Sequence, residues 1–228
     1  MSTPALHISP TMARRFLLRR SALSGCSPAL SIDQVVTRLQ FVQMDSIPML
    51  HRMHDLILFA RLPTYVPEHL HDYLYSRRAG IEYYLPNLAI FPRQMLPLLK
   101  HAMRRYEERW GGAFRLTDSV EQALASELLA HIREKGPTHP KQFRHAATTL
   151  NPWGSRSRTS TFVLEKLMMM GTLGVSHRTR FDRHYELLER LFPELSELPQ
   201  TSTSPSRGLL RARAAGLFKP APLLREGL

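Results

Sequence analysis

The segment from Asp118 to Leu187 constrains the fold more than any other. Asp118-Ser-Val-Glu121 has the form of a capping box. Its first carboxylate can accept from the free N–H groups of a first helical turn, and the glutamate three residues on can reach back. Leu124, Leu128, Leu129 and Ile132 recur at helical spacing as far as Gly136-Pro137, a stop. Thr138 to His145 predicts a second, short helix. Thr159 to Met170 predicts a third, with Phe162, Leu164, Leu167 and Met168 inside and Gly171 ending it. Thr172-Leu-Gly-Val-Ser176 and Phe181-Asp-Arg-His-Tyr-Glu-Leu187 then read as strands around a turn at His177-Arg-Thr-Arg180. Three helices and a hairpin are the order of a winged helix, in which one helix enters the major groove and the hairpin reaches backbone or the next groove.

The first third carries a looser version of the same pattern. Residues 11–24 read as a basic amphipathic helix, in preference to the transit peptide that an acid-free N-terminus would also suggest. A turn spans Gly25 to Leu30. Ser31-Ile-Asp-Gln34 starts a second helix with Val35, Val36 and Leu39 on its apolar face. Phe41 to Ile47 has strand character, and His51 to Leu62 supplies a second strand-like apolar run around Leu56-Ile-Leu-Phe-Ala60. The expected fold is mainly α with short β hairpins, arranged as tandem winged-helix units. The first unit takes residues 8–62, a helical connection rich in Pro and Tyr takes 63–117, the second unit takes 118–195, and an irregular basic tail takes 196–228.

Charge narrows the partners. Thirty-one Lys and Arg stand against 19 Asp and Glu, a formal net charge of +12, and Arg far outnumbers Lys. Guanidinium forks suit phosphates and base edges, so nucleic acid is the first partner to consider. Between Pro137 and Arg180, seven basic residues (Lys141, Arg144, Arg156, Arg158, Lys166, Arg178 and Arg180) face Glu165 alone. Arg156 and Arg158 precede the expected recognition helix, and Arg178 and Arg180 lie at the expected wing tip. Those are the places where such modules meet phosphates, and Lys141 and Arg144 join them as candidate DNA contacts. A membrane partner is not expected, because the basic residues are spread over two units and not along one amphipathic helix. One cysteine, Cys26, excludes an internal disulfide framework and fits a reducing cytoplasm, with the nucleoid as the place of work. His51-Arg-Met-His54 and His69-Leu-His71-Asp72 lack the spacing of a metal site, and no metal or cofactor is expected.

One motif brings chemistry. In Leu39-Gln-Phe-Val-Gln-Met-Asp-Ser-Ile47, strand alternation puts Gln43 and Asp45 on one face and Met44 on the other. An amide and a carboxylate so placed can hold a water between them. Alone the triplet is weak, and Asp45 could simply cap the turn before Pro48. Arg52 and His54, two residues apart on the second strand-like run, are candidate backbone or lesion contacts. His54 reads equally well as a hydrogen-bonded core histidine.

That run, followed by Arg52-Met-His-Asp-Leu-Ile-Leu-Phe-Ala-Arg61, resembles the AlkZ-like (YcaQ-type) winged-helix DNA glycosylases, which carry a Gln-apolar-Asp or Gln-apolar-Gln catalytic motif. Arg14-Arg-Phe-Leu-Leu18, Glu82-Tyr83-Tyr84, Ile132 to Pro137 and Phe181 to Leu188 are similar to further family elements in the same order, so the resemblance covers about residues 8–195. It departs at Leu85-Pro86-Asn87, where the family has a histidine. The resemblance implies hydrolysis of the N-glycosidic bond of N7-alkylated purines in double-stranded DNA, cross-linked ones included, by a cofactor-free monomer that does not fully flip the base. Gln43 and Asp45 would position the water. Family members continue into further domains, so a truncation or a change of reading frame near Leu198 is expected. The alternative function is a non-enzymatic winged-helix DNA-binding regulator.

Overall fold

The computed structural model describes residues 8–24, 30–44, 51–85, 87–106, 116, 118–143, 148–150, 154 and 156–198. Helix α1 (Pro10–Arg20) starts where Ser9 accepts from the Met12 N–H at 3.2 Å and Pro10 occupies the first turn. It ends before Ala22, whose φ is 56°, so it is shorter than the expected 11–24. In α2 (Ile32–Leu39) the capping box is present: Ser31 Oγ accepts from Gln34 N–H at 3.2 Å, and Gln34 Oε1 accepts from Ser31 N–H at 2.9 Å. Val35 and Val36 are fully buried on its inner face.

After α2, Gln40 takes a left-handed φ of 69° and turns the chain into β1 (Val42–Gln43). The next described element corrects the sequence reading. Residues 51–62 are not a strand: Met53–Phe59 form α3, with Arg52 as its extended N-cap. Leu58 is buried on one side while Leu56 and Phe59 are exposed, so the apolar run serves one face of a helix. The hairpin of this half lies instead where a helical connection was expected. After α4 (Pro67–His71) and a π-helical turn at Asp72–Ser76, β2 (Gly80–Tyr84) pairs antiparallel with β3 (Leu88–Pro92). β1 adds to the other edge of β3, with Val42 opposite Ile90 and Gln43 opposite Ala89.

This three-stranded sheet is covered on both faces. Val42, Met44 and Ile90 pack with α2, α3 and the π-helical turn. Ile81, Tyr83, Ala89 and Phe91 pack on the opposite face with α5 (Leu96–Arg104) and with Leu188 and Phe192 from the far end of the described chain.

Asp118 caps α6 (Ser119–Lys135), accepting from Val120 N–H at 3.0 Å, and Gly136 ends it at φ 79°. Glu121 does not close the expected box. It reaches 45 residues along the chain to the buried Lys166 ammonium at 2.6 Å. The expected helix over 138–145 is only a 3-10 turn at Pro140–Gln142 among the described residues. β4 (Thr148–Leu150) pairs with β5 (Arg156–Arg158), which runs directly into α7 (Thr159–Met169). β6 (Leu173–Thr179) and β7 (Asp182–Leu187) form the second hairpin, and α8 (Leu188–Leu191) follows. Strand pairing continues to Thr179, so the turn is Arg180-Phe181 and not 177–180.

Helix α7 does not have the form of a recognition helix. Thr159, Ser160, Phe162, Val163, Leu164, Lys166, Leu167, Met168 and Met169 are all buried. It packs against α6, β6, β4 and β2, and a helix enclosed in this way has no free face to lay in a groove. Among the described residues, no helix is long and apolar enough to cross a membrane.

Candidate active site and nucleic-acid interface

The two halves are joined by polar groups as well as apolar ones. Tyr83 Oη donates to the Met169 carbonyl at 2.7 Å, and Arg78 Nη1 donates to the Ser176 carbonyl at 2.7 Å. The central contact is Glu82, 3% exposed on β2. Its carboxylate accepts from Arg178 Nε at 2.8 Å and Nη2 at 2.5 Å, and from the Tyr75 hydroxyl; Arg183 Nε stands 3.9 Å away. Burial alone would push the Glu82 carboxyl up, but the charge and hydrogen bonds of Arg178 hold it below the usual carboxylate value. Burial likewise works against the Arg178 cation, and Glu82 more than offsets it. Burial and the adjacent carboxylate push the Tyr75 phenol well up.

Arg178 is therefore not placed as the wing-tip reading expected. Its guanidinium is half of a buried ion pair between β2 and β6, with Nη1 donating to the Phe181 carbonyl at 2.9 Å and Nη2 lying 3.5 Å from Met44 Sδ. Arg183, which sequence reasoning passed over, lies beside it. Arg183 Nη1 donates to Glu165 at 2.9 Å and Nη2 to the Tyr84 hydroxyl at 3.1 Å. The strand alternation of β7 would have placed Arg183 on one face with Tyr185; Glu82 stood out only as part of the family-like Glu82-Tyr83-Tyr84, with nothing to mark its burial against Arg178.

These groups floor a cavity of about 660 Å³ between the halves. Arg52, Lys141, Arg158, Arg178 and Arg183 are its cationic lining, Glu165 and Asp182 its carboxylates, and Met44, Leu88, Tyr84 and Tyr185 its apolar floor. Four of the expected DNA contacts thus converge on one recess. Arg52 lies over the exposed Phe181 ring, 3.9 Å from its centroid, and burial beside Arg178 lowers its pKa. Lys141 Nζ donates to Asp182 at 2.7 Å and, with His139 at 3.2 Å, holds that carboxyl below its usual range.

The remaining candidates fall elsewhere. Arg156 is exposed on β5, opposite Leu150, and Arg180 sits in the hairpin turn at φ 56°. His54 is 4% exposed on α3, 3.9 Å from Asp55. Desolvation lowers its pKa, and its Nδ1 has no hydrogen-bond partner among the described residues. It shares no strand face with Arg52, since Arg52 is the N-cap of α3 and His54 its second helical residue. Arg144 and Asp45 lie outside the described residues.

Gln43 is half-buried and pairs with Ala89, so its side chain belongs to the sheet face of Tyr83 and Phe91. Met44 points the other way, as strand alternation requires, and lines the cavity. Gln43 does not line it. Met44 and Arg52, the described residues on either side of the segment that carries Asp45, both do.

The family model described as "DNA glycosylase AlkZ-like" matches residues 36–223. The chain belongs to the AlkZ-like DNA glycosylases. The match takes in the Gln-Met-Asp motif, the sheet, the cavity and the second hairpin. It also continues past Leu198, to residue 223. No solved structure matches the chain. An AlkZ-like glycosylase acts on DNA and belongs to DNA repair, and the basic recess described above fits a polyanionic substrate. Among the described residues no group of three or more metal-ligating side chains is assembled.

Proposed function

We propose that this AlkZ-like glycosylase hydrolyses the N-glycosidic bond of N7-alkylated purines, cross-linked ones included, with Asp45 and Gln43 positioning the water. The observation that carries the proposal is the family match spanning Gln43-Met44-Asp45, joined by Met44 and Arg52, the described residues on either side of Asp45, which both line a basic cleft. An N7-alkylpurine is cationic and a good leaving group, so the barrier lies mainly in the positive charge that develops on the sugar. As the C1′–N9 bond breaks, its electron pair neutralises the purine. A water oxygen bonds to C1′ and its proton passes to the Asp45 carboxylate, which also faces the developing charge. The Gln43 amide orients that water. DNA is held by the cleft cations and by Arg156 and Arg180 on the exposed strand and turn. The protein works as a monomer in the cytoplasm.

The regulator alternative needs an exposed recognition helix, and the enclosure of α7 gives it no support. The test is release of N7-methylguanine from alkylated duplex. Asp45→Asn is expected to slow release by about 100-fold or more, the scale of a lost general base, and Gln43→Ala to impair it, with DNA affinity changed less than several-fold. Wild-type protein that binds the duplex but releases no alkylbase would overturn the proposal.

A further inference from the structure

We infer that the cavity between the halves holds an undamaged nucleotide of the DNA, with its phosphodiester on the rim cations and its neutral base on the apolar floor. That the ligand is DNA rests on family membership; the inference does not need Gln43 or Asp45 to be catalytic.

Three observations carry it. The first is the sign of the charge. Among the described residues, five cationic side chains line the recess against two carboxylates. Even with Arg178 offset by Glu82, an excess of two remains. A cationic N7-alkylpurine is repelled there, whereas a phosphodiester is attracted. The second is that the rim cations are available. Among the described residues, Arg158 is exposed with no hydrogen bond or ion pair, and the Arg52 side chain has no hydrogen bond or ion pair and lies over the Phe181 ring. The two come from different halves, so a phosphate between them is gripped from both sides. The third is the shape and chemistry of the interior. About 660 Å³ accommodates a nucleotide, and Tyr84, Leu88 and Met44 supply apolar area. Arg183 occupies Glu165 Oε1, which leaves Oε2 to accept from an exocyclic amine. The recess opens on the sheet face opposite Gln43, so a nucleotide in it is not the one presented to that amide.

The test uses the full chain and undamaged labelled oligonucleotides, single-stranded and duplex. Arg52→Gln and Arg158→Gln are each expected to reduce the slope of log affinity against log salt by about 0.9 on duplex and about 0.7 on single strands. Thr161 of α7 also lines the recess; Thr161→Phe fills it without changing charge, and is expected to weaken binding at least tenfold at physiological ionic strength. 5′-dGMP should displace single-stranded DNA from the wild type. Its N7-methyl derivative, with the same phosphate and a cationic base, should need at least tenfold more. Unchanged salt slopes, or a folded Thr161→Phe protein that binds like wild type, would sink the inference. Equal competition by the two nucleotides would do so too, since it would mark the recess as the lesion pocket. If Thr161→Phe does not fold, the salt slopes and the nucleotide pair decide. Excision is measured in parallel: its absence with these binding results intact counts against the proposed function alone.

Discussion

The buried Glu82–Arg178 pair gives the sharpest test of how the halves are held. Glu82→Gln keeps the shape of the side chain and removes its charge. Arg178, whose side chain is 12% exposed, then remains as a cation facing a neutral amide, with Arg183 close by. Removing one partner of such a pair costs about 3–5 kcal/mol, and at about 2 kcal/mol/M that moves a urea midpoint by roughly 1.5–2.5 M. Arg178→Met removes the other partner. It should cost a similar amount at neutral pH and add a signature in pH. In the wild type the folded pKa of Glu82 lies below its ordinary 4.5, so its stabilisation is fully present above pH 4.5 and is lost as the pH falls through the folded value. In Arg178→Met the main lowering influence is gone and burial dominates, so the folded pKa rises above 4.5. Stability should then decline as pH rises through that new value. Urea unfolding followed by circular dichroism from about pH 2 to about pH 8 reads both slopes. The outcome that would refute the reasoning is an Arg178→Met protein with wild-type stability at pH 7 and a DNA salt slope reduced by about 0.9. Arg178 would then be a phosphate contact, as its place in the sequence first suggested.

Two further substitutions probe the packing between the halves. Gly171→Ala places a methyl 2.7 Å from Met103 Sδ at a φ of +79°, and should cost about 1–3 kcal/mol in thermal or urea unfolding. Tyr83→Phe leaves the Met169 carbonyl without its 2.7 Å donor, for which a loss of about 1–3 kcal/mol is expected by the same measurement. In both, release of alkylbase at a temperature where the variant stays folded should remain near wild type.

What was legible in the sequence was largely local. Ser31 and Gln34 sit within one turn of each other, so their box could be read from spacing, and so could Asp118 as a cap. The β6–β7 hairpin followed from alternation and lacked only the position of its turn. Short apolar runs misled. Leu56 to Ala60 satisfies a strand and one face of a helix equally, and only the core of Val35, Val36 and Ile90 decides for the helix. The β2–β3 hairpin was hidden by its prolines, yet Pro92 ends β3 opposite Gly80, where no interior N–H is needed. The site was half legible. Arg52, Lys141, Arg158 and Arg178 were singled out for charge and do meet, but the partner that occupies Arg178 lies 96 residues away in sequence. A glutamate between apolar neighbours carries no mark of burial.

β1 is the shortest strand in the sheet, with two paired positions, and it begins two residues after the left-handed turn at Gln40. Its brevity makes the spacing from that turn a matter of parity. Losing or gaining one residue between Gln40 and Val42 would exchange the faces of Val42, Gln43 and Met44 all at once. The amide would enter the apolar layer of Val35, Val36 and Ile90, and the thioether would leave the cavity floor. Two registry contacts are little to resist such a slip, so here sequence drift can change residue types more readily than residue number.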